Sequence, residues 1–153
     1  MNKFFKTVLL TGLFAGTTDI VSAFISAWAR NGKFAEKMFH YIAGGALGLE
    51  TSMKGGVGVA FLGLFFHYFV AFAFTLFFFV VFPRLKFLFF NKYFVGMLFA
   101  VFVNVVMSQL ILPLTPLPTQ HFSLEHTYIE WVILGILFGI PIVYNAYKYY
   151  GVE

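Results

Sequence analysis

Asp19, His67 and Asn104 are the residues whose chemistry is hardest to reconcile with their neighbours. They sit in the apolar stretches "GLFAGTTDIVSAF", "GLFFHYFVAF" and "FAVFVNVVMS". A lone ionised carboxylate in hydrocarbon is unfavourable, and insertion scales put a mid-helix Asp at about +2.5 to +3.5 kcal/mol. Such a group must pair, take up a proton or reach water. An imidazole supplies a cationic partner or a hydrogen-bond donor, and it changes charge near neutral pH. A carboxamide donates and accepts at once. The trio therefore suits binding or relaying a proton, an ion or a small polar solute. It does not suit nucleophilic catalysis, because Asp19 and His67 lack an identifiable nucleophile, and no catalytic residue is assigned. A histidine among phenylalanines is more often a packed, satisfied side chain, and an asparagine in a span is more often interhelical glue. The acid carries the functional reading, since intramembrane acids are rarer and costlier. Thr18, beside it, and Ser108 and Gln109, toward the end of a third apolar segment, are secondary candidates.

A second constellation is "HFSLEHTYIEW". His121 and Glu125 are four apart, as are His126 and Glu130, so each pair shares one helical face. Two histidines with two carboxylates offer ligands for Zn²⁺ or another divalent ion. Against that stands a plainer reading: Thr127 and Glu130 form a T-x-x-E capping box just before an apolar run, with Ser123 as an alternative cap.

The elements that position these residues belong to a membrane. The chain has 153 residues, 61% hydrophobic and 10% charged, where soluble domains carry roughly 25% charged residues. Phe supplies 24 of them. With no cysteine, disulfides, thiolate metal sites and Cys nucleophiles are excluded. No cofactor is expected: "GGVG" at Gly55 to Gly58 is neither a P-loop nor a dinucleotide fingerprint, and only His67 is placed to ligate a haem. The net charge of +4 reads as topology and headgroup contact with the lipid bilayer, not as a nucleic-acid surface.

A spanning helix needs about 20 mainly apolar residues. Four segments meet or approach this: 7–29, 56–82, 93–112 and 131–147. The second ends at Pro83 and the third at Pro113, where proline blocks continuation. Trp131, Tyr144, Tyr147, Tyr149 and Tyr150 read as interfacial belts around the fourth. The segment 34–50 holds only 12 residues between Lys37 and Glu50, with Gly44-Gly45 in the middle. About 18 Å of helix cannot cross a core of roughly 30 Å, so it reads as a short interfacial or re-entrant helix. The expected fold is all-α: one integral membrane domain over 1–153, a polytopic four-transmembrane-helix bundle. Lys3 and Lys6 ahead of an apolar stretch, with Ala27-Trp28-Ala29 beyond, imitate a secretory signal, but Asp19 interrupts that stretch and a retained helix is expected. Four spans with cytoplasmic termini put six cationic residues inside against four outside, whereas five spans give seven against three; length, not charge, favours four. The loop "PLTPLPTQHFSLEH" holds no Lys or Arg, fitting the extracytoplasmic face.

Within lipid, small residues at spacing three and four mark helix contacts. Every span has such a stripe: Gly12, Gly16, Asp19, Ala23 and Ser26; Gly56, Ala60, Gly63, His67 and Ala71; Gly96, Ala100, Asn104 and Ser108; Gly135, Gly139 and Ala146. The polar trio rides on these stripes, each member within about 3 Å of the middle of its span at 1.5 Å per residue. Small faces that meet would turn the three inward as a midplane cluster.

The stretches "GLFAGTTDI", "YIAGGALG", "GGVGVAFLGLFFHYFVAF" and "MSQLILPL" resemble small uncharacterised bacterial inner-membrane proteins of the YagU-like, domain-of-unknown-function type. That resemblance implies a four-helix protein of the bacterial inner membrane, with no established activity, cofactor or site residue. Two functions are expected from different classes. One is translocation of a small solute, ion or proton through the polar cluster. The other is a non-catalytic assembly or accessory role, in which small-residue faces bind another copy or a membrane-protein partner.

Overall fold

The computed structural model describes residues 2–31, 37–118 and 124–152, with backbone alone at 29–31, 86–87 and 124–128. Among the described residues there are seven α-helices and no strand: α1 (Lys3–Asn31), α2 (Met38–Leu47), α3 (Leu49–Met53), α4 (Val57–Val81), α5 (Lys92–Val105), α6 (Leu124–Leu134) and α7 (Ile140–Tyr150). Four stretches are long and apolar enough to cross a membrane: Lys3–Trp28, Val57–Arg84, Lys92–Leu114 and Ile129–Tyr150. The last runs from α6 into α7 through the π turn Gly135–Gly139. The protein is an all-α, multi-pass membrane bundle of four long helices, with the two short ones between the first and second.

Local chemistry fixes the ends. Asn91 has extended backbone, and its Oδ1 accepts from the N–H groups of Tyr93 and Phe94 at 2.9 and 3.1 Å, capping α5. After α4 the chain tightens into a 3₁₀ turn at Phe82–Arg84 that carries Pro83. Gly151 closes α7 with φ +68°, and Val152 N–H bonds back to Tyr147 O at 3.0 Å.

The outer surface is as apolar as the core. Phe61, Phe65 and Phe69, spaced by four on α4, are each more than 60% exposed; they face the lipid. Most glycines of the long helices face inward, although Gly56, expected on the small face, is exposed. A Cβ on Gly139 would collide with Gly96 O, so α5 and the last span meet backbone to backbone. One on Gly63 would collide with Phe39 O, which puts α2 directly against α4. α1 packs on α4 and α7, and α5 packs on α7. α4 and α5 meet instead through rings: Phe77 stacks on Phe102 at 5.6 Å, and Phe78 reaches Phe99 at 4.7 Å.

Several expectations need correction. The short segment is two helices, not one over 34–50. It breaks at Gly48, whose φ of +81° cannot continue a helix, while Gly44-Gly45 lies inside α2. Gly44 is there because Ser52 Oγ and Leu117 crowd it: a Cβ at that position would stand 3.0 and 3.1 Å from them. Tyr147 is core rather than belt: it is 4% exposed, and its hydroxyl donates to Leu88 O. Tyr150 likewise donates to Phe79 O at 2.7 Å. Thr127 cannot be an N-cap, because α6 already begins at Leu124. The position just before belongs to Ser123, outside the described residues.

Candidate functional site

Two of the long helices change pitch beside the polar residues. In Val106–Ile111 and Gly135–Gly139 the backbone widens to π turns, with Leu112 N–H bonding Met107 O and Ile140 N–H bonding Gly135 O, each five residues back. Each of these donors stands one residue ahead of a proline, Pro113 or Pro141. Proline has no N–H, so the carbonyl four residues before it loses its usual partner. For Pro141 that carbonyl is Leu137, and Thr18 Oγ1 of α1 donates to it at 2.5 Å. A sequence-local defect in one helix is thus repaired by a hydroxyl from another, and α1 is held in register next to Asp19.

The neighbouring residues are anchored in the same way. Thr17 Oγ1 pairs with the Tyr68 hydroxyl at 2.8 Å, tying α1 to α4. His67 Nε2 lies 2.8 Å from Gly16 O. A carbonyl only accepts, so Nε2 carries the hydrogen. Asn104 Oδ1 accepts from Trp131 Nε1 at 2.9 Å, linking the third span to the fourth.

Asp19, His67 and Asn104 all line one cavity of about 410 Å³. Its remaining walls are almost wholly apolar. Phe66, Phe69, Val70 and Phe74 come from α4, Val103 and Met107 from the third span, and Leu134 and Phe138 from the fourth. Tyr41, Ile42 and Ala46 of α2 and Thr115 and Leu117 of the proline loop complete the lining. His67 is within electrostatic reach of the Asp19 carboxylate. Among the described residues, no hydrogen bond or ion pair engages that carboxylate; the hydrogen bond at Asp19 runs from Ser22 Oγ to its backbone carbonyl, at 2.7 Å.

The secondary candidates lie elsewhere. Thr18 is spent on Leu137 O and on its own helix. Ser108 and Gln109 do not line the cavity and touch each other at 3.4 Å. His121 lies outside the described residues, and Glu125 and His126 are described by backbone alone. Glu130 is exposed. Among the described residues, no three His, Asp or Glu gather as a metal site. The sequence reading did not place Trp131, Tyr68, α2 or the proline loop at the site. The loop did carry a signal: Leu117 in it, like Leu112 just before it, is an apolar residue that lines the cavity.

The chain matches no protein-family model, no curated protein and no solved structure. What it does must therefore be argued from the cavity itself.

Proposed function

We propose that this membrane protein binds a small solute, ion or proton in the cavity bounded by Asp19, His67 and Asn104, and passes it across the bilayer. One observation carries the reading: an acid, an imidazole and an amide from three different spans line a single cavity whose other walls are apolar. Apolar side chains would stabilise that space at least as well, since buried polar groups cost desolvation. Polar groups kept at such a cost, and facing an opening, fit a ligand. Asp19 is the binding group. His67 and Asn104, each fixed at one end by the protein, present their other ends to the solute.

We take the compartment to be the bacterial inner membrane, as the YagU-like resemblance implies, and both termini to be cytoplasmic. Lys3, Lys6, Arg84, Lys92 and Lys148 all belong to the end of the bundle where α1 starts and α4 and α7 finish, which the positive-inside tendency would hold in the cytoplasm. The assembly reading has less surface to use. Gly12, Gly16, Gly135 and Gly139, the GxxxG residues of the first and fourth spans, already face side chains or backbone of this same chain.

The test is flux. Protein reconstituted in liposomes should carry protons, ions or small solutes, and Asp19→Asn should lower that flux at least about tenfold, a loss of about 1.4 kcal/mol in transition-state terms. Equal flux with both proteins, or none with either, overturns the proposal.

A further inference from the structure

Resting on the reading of the cavity as a solute site, we infer that its ligand is a hydrophobic organic cation, bound with its charged head at Asp19 and its apolar body against the phenylalanine wall. Charge is the first argument. No lysine or arginine among the described residues lines the cavity, and Asp19 is its one acid. The carboxylate has no hydrogen-bonding or ion-pairing partner among the described residues, although His67 and Asn104 each have one. A cationic head supplies what that group lacks, and an anion would meet it with like charge in a medium that screens poorly.

Shape and wall chemistry narrow the class. An inorganic divalent cation takes about six oxygen ligands or more; the cavity offers three polar side chains on the spans, and its surface is otherwise almost all hydrocarbon. Aromatic rings, here Phe66, Phe69, Phe74 and Phe138, hold cations over their faces and apolar bodies by contact. The volume of about 410 Å³ falls in the range of roughly 300–1,000 Å³ that takes drug-sized molecules. The cavity also reaches the outer surface of the bundle. Phe69 lines the cavity yet is 62% exposed on the outer face of α4, and Ala46 of α2 is likewise exposed at the rim. A molecule dissolved in the bilayer meets this rim without crossing water.

Three probes of one shape test the inference: benzyltrimethylammonium, its uncharged isostere neopentylbenzene, and the anion benzylsulfonate. Binding is measured by equilibrium dialysis on protein in nanodiscs of zwitterionic lipid, with empty nanodiscs subtracted. The cation should bind at least about tenfold more tightly than the neutral isostere, and the anion should not bind. Asp19→Asn should lose that preference and leave neopentylbenzene unchanged, while Asp19→Glu keeps it. No cation binding, equal affinity for cation and isostere, tighter anion binding, or an unchanged preference in well-folded Asp19→Asn overturns the inference. Should Asp19→Asn fail to elute as a single species, the wild-type ranking decides alone. Selective cation binding without flux removes transport and leaves the ligand class standing; flux without cation preference does the reverse.

Discussion

The two ends of this bundle are built on opposite terms. Where α1 begins and α4 and α7 finish, rings pack the core between the helices, beside a groove lined by Lys3, Thr11 and Lys148. Phe4 meets Phe79 and Tyr149 at 6.2 and 5.8 Å, and Phe82 meets Tyr147 at 5.1 Å. Phe79, Phe82, Ile142 and Val143 are fully buried, and the hydroxyls of Tyr147 and Tyr150 are satisfied by carbonyls of Leu88 and Phe79. Toward α2 the same four spans leave a cavity of about 410 Å³ with a carboxylate at its wall. There the helices carry π turns and meet through threonine, histidine and asparagine. π turns gather at functional sites because they re-aim side chains at a local cost. One end makes the bundle stable; the other tolerates features that stability alone would remove. Removing a buried ring at the first end should therefore destabilise the bundle, whereas removing the unpaired acid at the second should not.

The hardest blow falls on the crossing that both ends share. Gly139→Val places its Cβ against Gly96 O, and backbone cannot give way as a flexible side chain can. Overpacking costs typically about 1–3 kcal/mol and sometimes more, and here the upper end is expected, read as loss of the monodisperse peak in detergent. Phe79→Ala comes next. With lipid as the outer solvent the loss is mainly of packing, on the order of 3 kcal/mol, measured as a drop in the thermal or denaturant midpoint. Thr18→Val and Tyr147→Phe each delete one interhelical hydroxyl bond, to Leu137 O and to Leu88 O. Each should lower stability by about 1 kcal/mol. Thr18→Val should additionally alter flux, because it frees α1 beside Asp19, whereas Tyr147→Phe should not. Smallest is Asp19→Asn, which removes an unpaired acid and should leave the midpoint unchanged or raised. A fall as large as that of Phe79→Ala would mean the cavity half is ordinary core, and the contrast between the ends would be lost.

Much of the architecture was legible in the chain because its causes are local. Hydrocarbon thickness sets a minimum length, so four long apolar segments could be counted. Small residues at spacing three and four located the contact faces, and Gly12, Gly16, Gly63, Gly96, Gly135 and Gly139 are all buried. The break at Gly48 was missed because two glycines within a helix look the same in sequence as a glycine that ends one. Tyr147 was misjudged because an aromatic belt and an aromatic core have the same composition.

Composition and periodicity by themselves determined the solvent this protein lives in, the number of its long helices, and which helical faces carry Asp19, His67 and Asn104. Only the tertiary structure decided that these faces line a cavity, that Trp131 holds Asn104, that Thr18 answers the carbonyl exposed by Pro141, and that α2 and the proline loop complete the cavity wall. The reason is geometric. A helix repeats every 3.6 residues and so records its own faces, but its rotation and crossing with other helices depend on contacts between residues as far apart as Thr18 and Leu137, which no local pattern encodes.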